Sequence, residues 1–88
     1  MISADEIWGI IERHLGRDVW HNLADIYRLV SQRGHLDRED YDQDAPGSTN
    51  PKWKRNIRNV LQRQKNLGRI DWENRGRYRL KSRSQVGA

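Results

Sequence analysis

Residues 50–81 read NPKWKRNIRNVLQRQKNLGRIDWENRGRYRLK, and this stretch decides the fold. Trp53, Ile57, Val60, Leu61, Gln64 and Leu67 recur at helical spacing, so one face of a helix is apolar. Asn50 and Pro51 start it: proline suits the first helical position, where its missing N–H would be unpaired anyway. Gly68 ends it. The apolar period then shortens to that of a strand, with Ile70, Trp72, Tyr78 and Leu80 expected inward. Arg69, Asp71, Glu73, Arg77, Arg79 and Lys81 are expected outward. Asn74-Arg75-Gly76 between the runs suits a three-residue hairpin turn with Gly76 at positive φ.

Upstream, Ser3-Ala4-Asp5-Glu6 is a capping box, with Ser3 accepting from the Glu6 amide and the Glu6 carboxylate reaching back. Ile2 is placed to staple onto Ile7. Ile7, Ile10, Ile11 and Leu15 then predict a helix over about residues 4–15, with Gly16 as a left-handed stop. Asp18-Val19-Trp20 is β-prone and predicts a small strand that Trp20 pins. His21 or Asn22 caps a second helix with the stripe Leu23, Ile26, Tyr27 and Val30, ended by Gly34. Residues 35–49, HLDREDYDQDAPGST, have no apolar period and read as a long acidic connection. The order is α-(β)-α-α-β-β, an α+β winged helix-turn-helix of three helices and a C-terminal hairpin wing. The domain is expected to span 1–81, with a disordered tail at 82–88.

Charge divides the chain in two. Residues 51–81 hold 11 Lys and Arg against Asp71 and Glu73, whereas residues 1–50 hold five Arg against ten acids. The formal net charge is +5 and the sequence pI about 10.1, so the basic excess belongs to one structural unit. That concentration is expected of a surface that meets a polyanion. An anionic membrane would be better served by a simple basic amphipathic helix than by a helix–hairpin unit with its own core face.

The 88 residues make one small domain, and 34% apolar composition demands a compact core in which four Trp and three Tyr are expected to contribute. With no cysteine there is neither a disulfide framework nor a thiolate metal site, and His14, His21 and His35 lack ligand-like spacing. No apolar run approaches spanning length and no signal-peptide core follows Met1. No cofactor, metal or catalytic constellation is expected, and the chain reads as a cytoplasmic, nucleoid-associated monomer.

From Trp53 to Leu80 the sequence resembles the C-terminal winged-helix domain of Dam-replacing restriction endonucleases, the DpnI-like group. The matching pieces are Ile57-Arg58, Leu61-Gln62, Leu67-Gly68-Arg69-Ile70 and Arg75-Gly76-Arg77-Tyr78-Arg79-Leu80. They cover about the last 30 structured residues, while the first two helices match only in generic pattern. The resemblance implies a domain that reads N6-methyladenine in a short, GATC-like duplex site, as the targeting module of a modification-dependent nuclease. This sequence lacks the nuclease half: it has neither a Glu-x-Lys metal-site pair nor a His-Asn-His arrangement.

Double-stranded DNA is therefore the expected partner, with Lys52, Trp53, Lys54, Arg55, Asn56, Arg58, Asn59, Arg63, Arg75 and Arg77 as candidate contacts. Asn56 and Asn59 suit adenine edges and Arg55 a guanine edge. Lys52, Lys54, Arg58 and Lys65 suit phosphates, and Arg75 and Arg77 the wing tip. Trp53 has two readings, a core residue continuing the Ile57 stripe or a base-facing aromatic. A methyl on N6 removes a groove donor, and burying it is worth about 0.8 kcal/mol, so a methyl reader needs apolar contact, with Trp53 the nearest aromatic. The alternative is a transcription regulator that reads unmodified DNA with the same face. An interaction module ranks last, because the face is cationic rather than apolar. The acid run Asp37–Asp44 reads as a solvated loop, or as a screen over the basic face when DNA is absent.

Overall fold

The computed structural model describes residues 1–73 and 76–81, so Asn74, Arg75 and the expected tail at 82–88 lie outside the described residues. The elements are α1 (Ala4–His14), β1 (Trp20–Asn22), α2 (Leu23–Arg33), a 3-10 turn (Glu39–Tyr41), α3 (Lys52–Asn66), β2 (Ile70–Glu73) and β3 (Arg77–Leu80). Three helices thus combine with a three-stranded antiparallel sheet of order β1-β3-β2.

Local chemistry sets each boundary. Ser3 caps α1 by accepting from the Glu6 amide at 3.0 Å. The reciprocal arm is diverted: the Glu6 carboxylate accepts instead from the His35 amide at 2.8 Å and lies 3.1 Å from His35 Nδ1. Those contacts, the backbone amide first, hold the Glu6 carboxyl below the ordinary carboxylate range. Gly16 is not the left-handed stop. Leu15 leaves α1 in extended geometry to reach the core, and the positive φ of 60° falls on Asp18. Asp is one of the few side chains that tolerates this region. The turn there lets the Asp18 amide donate to the Leu80 carbonyl at 2.8 Å, which brings β1 alongside β3. Asn22 stands at the α2 N-cap without a side-chain cap bond. Pro51 occupies the N-cap of α3 rather than its first turn, and Gly68, expected to end the helix, follows it with a left-handed φ of 79°.

The core is isoleucine-rich rather than aromatic. Among the described residues, seven of the thirteen buried apolar ones are Ile: Ile2, Ile7, Ile10, Ile11, Ile26, Ile57 and Ile70. Among the aromatics only Trp53 is buried, whereas Trp20, Tyr41 and Trp72 are exposed. Trp72 and Leu67 correct the expected inward faces, at 42% and 56% exposure. Register explains the first. The row Ile70–Leu80 lies over the helices and is buried, but Trp72–Tyr78 is the next inward-facing row toward the turn, where the helical layer gives out. Lys65 lies over Trp72 there, its Nζ 4.3 Å from the ring centroid.

Residues 35–49 are more than a solvated connection. Asp40 is fully buried and accepts from the Ile2 amide (3.0 and 3.1 Å) and from the Asp37 amide (2.9 Å). A buried carboxylate is tolerable only with such partners, so this contact fastens the chain before α1 to the 3-10 turn. Further on, the Lys52 amide donates to the Asp42 carbonyl at 2.8 Å and the Asp44 amide to the Asn50 carbonyl at 2.9 Å, which fixes the approach to α3.

Two pairs of substitutions test this account. A Cβ on Gly34 would lie 2.8 Å from Ile2 Cδ1 and 2.9 Å from the Val30 carbonyl, so Gly34→Ala should destabilise by about 1–3 kcal/mol. Gly9, inside α1, faces only the flexible Arg13 guanidinium at 3.2 Å, and Gly9→Ala should stabilise by about 0.5–1 kcal/mol. Denaturant midpoints at constant slope read both. Asp40→Ala should cost about 3 kcal/mol by orphaning two amides, and Asp40→Asn less, since one acceptor survives.

Candidate nucleic-acid interface

The first turn of α3 is built differently from those of the other helices. α1 opens with a side-chain cap and with Asp5 and Glu6, and α2 has Asp25 in its first turn. α3 has no side-chain cap and no acid there, but carries Lys52, Lys54 and Arg55. The helix dipole makes this end electropositive before any side chain is counted. Three cations on top of it leave an anion-seeking end.

The buried stripe fixes which residues face away from the protein. Trp53, Ile57, Leu61 and Gln64 are buried, and a residue nine positions away lies about two and a half turns off, on the opposite side. Those positions are Gln62, Asn66, Lys52 and Arg55. The outward line therefore runs from Lys52 and Arg55 at the N-terminal end to Gln62 and Asn66 at the other, with Asn59 beside it. Gln62 and Asn66 are exposed, and Gln62 Nε2 donates to Asn66 Oδ1 at 3.1 Å. Neither was a sequence candidate. Helical spacing in the sequence puts Asn66 on the polar face and Gln62 on its flank, but the amide pair they form follows only from the side-chain geometry.

On one edge of this line Asn56, Asn59 and Arg63 border a cleft of about 280 Å³ with Met1, Ile2, Ala4 and Val60. Lys52, Asn56, Asn59 and Arg63 make no side-chain hydrogen bond or ion pair with another described residue. On the other edge, Lys54 lies over the Tyr27 and Trp53 rings (5.2 and 5.6 Å), and Arg58 donates to the Tyr27 hydroxyl at 3.1 Å. Trp53 itself stacks edge-on against Tyr27 at 5.8 Å and is 8% exposed. It belongs to the core, and the aromatic pocket for a base methyl that its position in the sequence allowed is not presented to solvent. The reason is packing: the side chain that begins the stripe also closes the end of the core between α2 and α3.

Asp44 joins the outward line to the Lys54–Arg58 edge. Its carbonyl accepts from the Arg55 guanidinium at 3.2 Å, and its carboxylate, 15% exposed, lies 3.7 Å from Arg58. The acid run thus reaches the basic helix through Asp44, while Asp40 turns inward.

The hairpin contributes a cationic outer face whose charges are already engaged. Arg77 pairs with Glu73, and Arg79 and Lys81 both pair with Asp71, at 2.5 and 3.3 Å. Those bonds, Arg79 first, hold the Asp71 carboxyl below its ordinary range. Arg79 also lies 4.9 Å from the Trp20 ring, directly across the β1–β3 pair, so Trp20 does pin the small strand. Arg75 lies outside the described residues.

Among the described residues no group of three or more His, Asp or Glu side chains is placed to hold a metal ion, and no helix is long and apolar enough to cross a membrane. Compared with models of protein families, with curated proteins and with solved structures, the chain matches none.

Proposed function

We propose that this chain is a winged helix that binds duplex DNA, with α3 as the recognition helix in the major groove and the β2–β3 hairpin as a wing beside the backbone. One observation carries the reading: among the described helices, α3 alone begins with neither a side-chain cap nor an acid and with three cations in its first turn. DNA phosphates supply the anions that this helix end lacks. The short strand β1, between α1 and α2, pairs with the C-terminal hairpin in the order β1-β3-β2, which supports the same architecture.

Roles divide along the helix. Lys52, Lys54, Arg55 and Arg63 are placed to meet phosphates, and Arg63 has no competing partner among the described residues. Arg58 is tied to Tyr27 and Asp44, so it braces the helix more than it contacts DNA. Asn56 and Asn59 stand at the cleft edge as candidate base contacts. Reading of N6-methyladenine, and service as the targeting module of a nuclease, rest on the resemblance in sequence. The burial of Trp53 removes the aromatic that such a methyl contact would have used.

If α3 and the wing contact about 4–6 phosphates, log K should fall against log salt with a slope of about −4 to −5. A slope near −1 on every duplex would overturn the reading. Arg63→Ala should weaken binding about evenly across sequences and shift that slope by about 1. Arg58→Ala should instead lower the unfolding midpoint, since it orphans the Tyr27 hydroxyl and the partly buried Asp44 carboxylate. Fluorescence anisotropy across a salt series, with thermal melts of each variant, separates these roles.

A further inference from the structure

We propose that Gln62, held by Asn66, is a base-reading side chain of α3 beyond Asn56 and Asn59, and that it takes the major-groove edge of an unmethylated adenine. The proposal rests on the duplex-DNA reading above and names what that surface selects.

The position follows from the buried stripe. Gln62 is nine residues from Trp53 and Asn66 nine from Ile57, so both project directly away from the core. Both are exposed, and residues four apart on a helix are neighbours, which lets Gln62 Nε2 donate to Asn66 Oδ1 at 3.1 Å. That bond lowers the rotamer entropy a lone surface glutamine would lose on binding. It also fixes which hydrogen-bonding groups remain. A primary amide has two N–H donors and one carbonyl acceptor. With one N–H engaged by Asn66, Gln62 presents one N–H and one carbonyl oxygen outward.

One donor beside one acceptor is the complement of adenine, which shows the N7 acceptor and an N6–H donor in the major groove. Guanine shows two acceptors, O6 and N7, and would set the Gln62 carbonyl against O6. Thymine offers O4 and a methyl, and cytosine one donor, so neither satisfies both groups. The neighbourhood reinforces the choice. Arg55 at the N-terminal end of the outward line is bound to the Asp44 carbonyl, whereas the Gln62–Asn66 end carries no charge on that line. Charged heads seek phosphates, and an uncharged amide pair facing the groove is left to the base edges. Methylation of adenine N6 replaces the groove hydrogen that Gln62 Oε1 would accept and puts a carbon against that oxygen. The same geometry therefore predicts discrimination against N6-methyladenine.

Selection from a pool of duplexes with a randomised core, using the whole chain, tests this. The wild-type protein should enrich a fixed adenine at one position. Replacing that adenine with guanine, or methylating its N6, should weaken wild-type binding by roughly 5- to 150-fold. In Gln62→Ala the difference between the adenine, guanine and methyladenine duplexes should collapse, with the thermal midpoint unchanged because the side chain is exposed. Asn66→Ala releases the second N–H of Gln62 and should narrow the gap between adenine and guanine. The proposal is overturned if Gln62→Ala selects the same sequence with the same discrimination, if the Gln62-dependent position is guanine, or if methylation strengthens binding. A wild-type protein that enriches no duplex overturns the DNA-binding reading itself, and this proposal with it.

Discussion

α3 carries its charge on the same fifteen residues that close the core, so its buried stripe must hold against the repulsion of six cations with no acid among them. Magnitudes decide the contest. Burying Ile57, Val60, Leu61 and Trp53 contributes about 1.5–3 kcal/mol for each large side chain. Like charges three or four residues apart cost roughly 0.2–0.5 kcal/mol per pair, and the close pairs are Lys52–Arg55, Lys54–Arg58 and Arg55–Arg58. Packing therefore wins comfortably, and the charge is carried as a tolerated excess. The repulsion is nevertheless uneven, because all three pairs fall in the N-terminal half, where the helix dipole adds to it.

The segment before α3 answers that unevenness from two directions. Asp44 places its carbonyl on Arg55 and its carboxylate near Arg58, the two residues shared among the three repelling pairs. Asp40, four residues earlier, is buried and fastened to the Ile2 amide, so the segment is anchored at one end to the chain before α1. The Lys52 amide, donating to the Asp42 carbonyl, ties the other end to the start of α3. An acid-rich stretch with no hydrophobic period thus sets the position of the most basic helix in the molecule.

This arrangement divides the outward surface by chemistry. Its N-terminal part is cationic and partly braced, its C-terminal part an uncharged amide pair, and its cleft edge is lined by Asn56, Asn59 and Arg63. Phosphate contacts fix register on a duplex, and neutral donor–acceptor pairs distinguish bases. The hairpin cations differ again: Arg77, Arg79 and Lys81 are each paired with Glu73 or Asp71, so a count of Lys and Arg overstates the charge left without an intramolecular partner.

Sequence alone determined the elements whose signals are local: the Ser3 cap, the helical stripes of α1, α2 and α3, the glycine stop at Gly68, and the strand alternation around a turn with Gly76 at φ 74°. Each depends on neighbours a few residues away, which is why spacing and turn chemistry suffice to read it. Tertiary structure decided the rest. It moved the left-handed turn from Gly16 to Asp18 because β1 had to reach β3, and it diverted Glu6 from Ser3 to His35. It buried Asp40 within a run that looked uniformly solvated, and it left Trp72 and Leu67 outside the core that their spacing had assigned them to. The candidate site divided the same way. The basic helix was legible as a pattern, but the burial of Trp53 against Tyr27 and the pairing of the hairpin cations are contacts between distant segments. Periodicity says which side of a helix or strand is apolar; how far along that side the cover extends depends on where the other elements end.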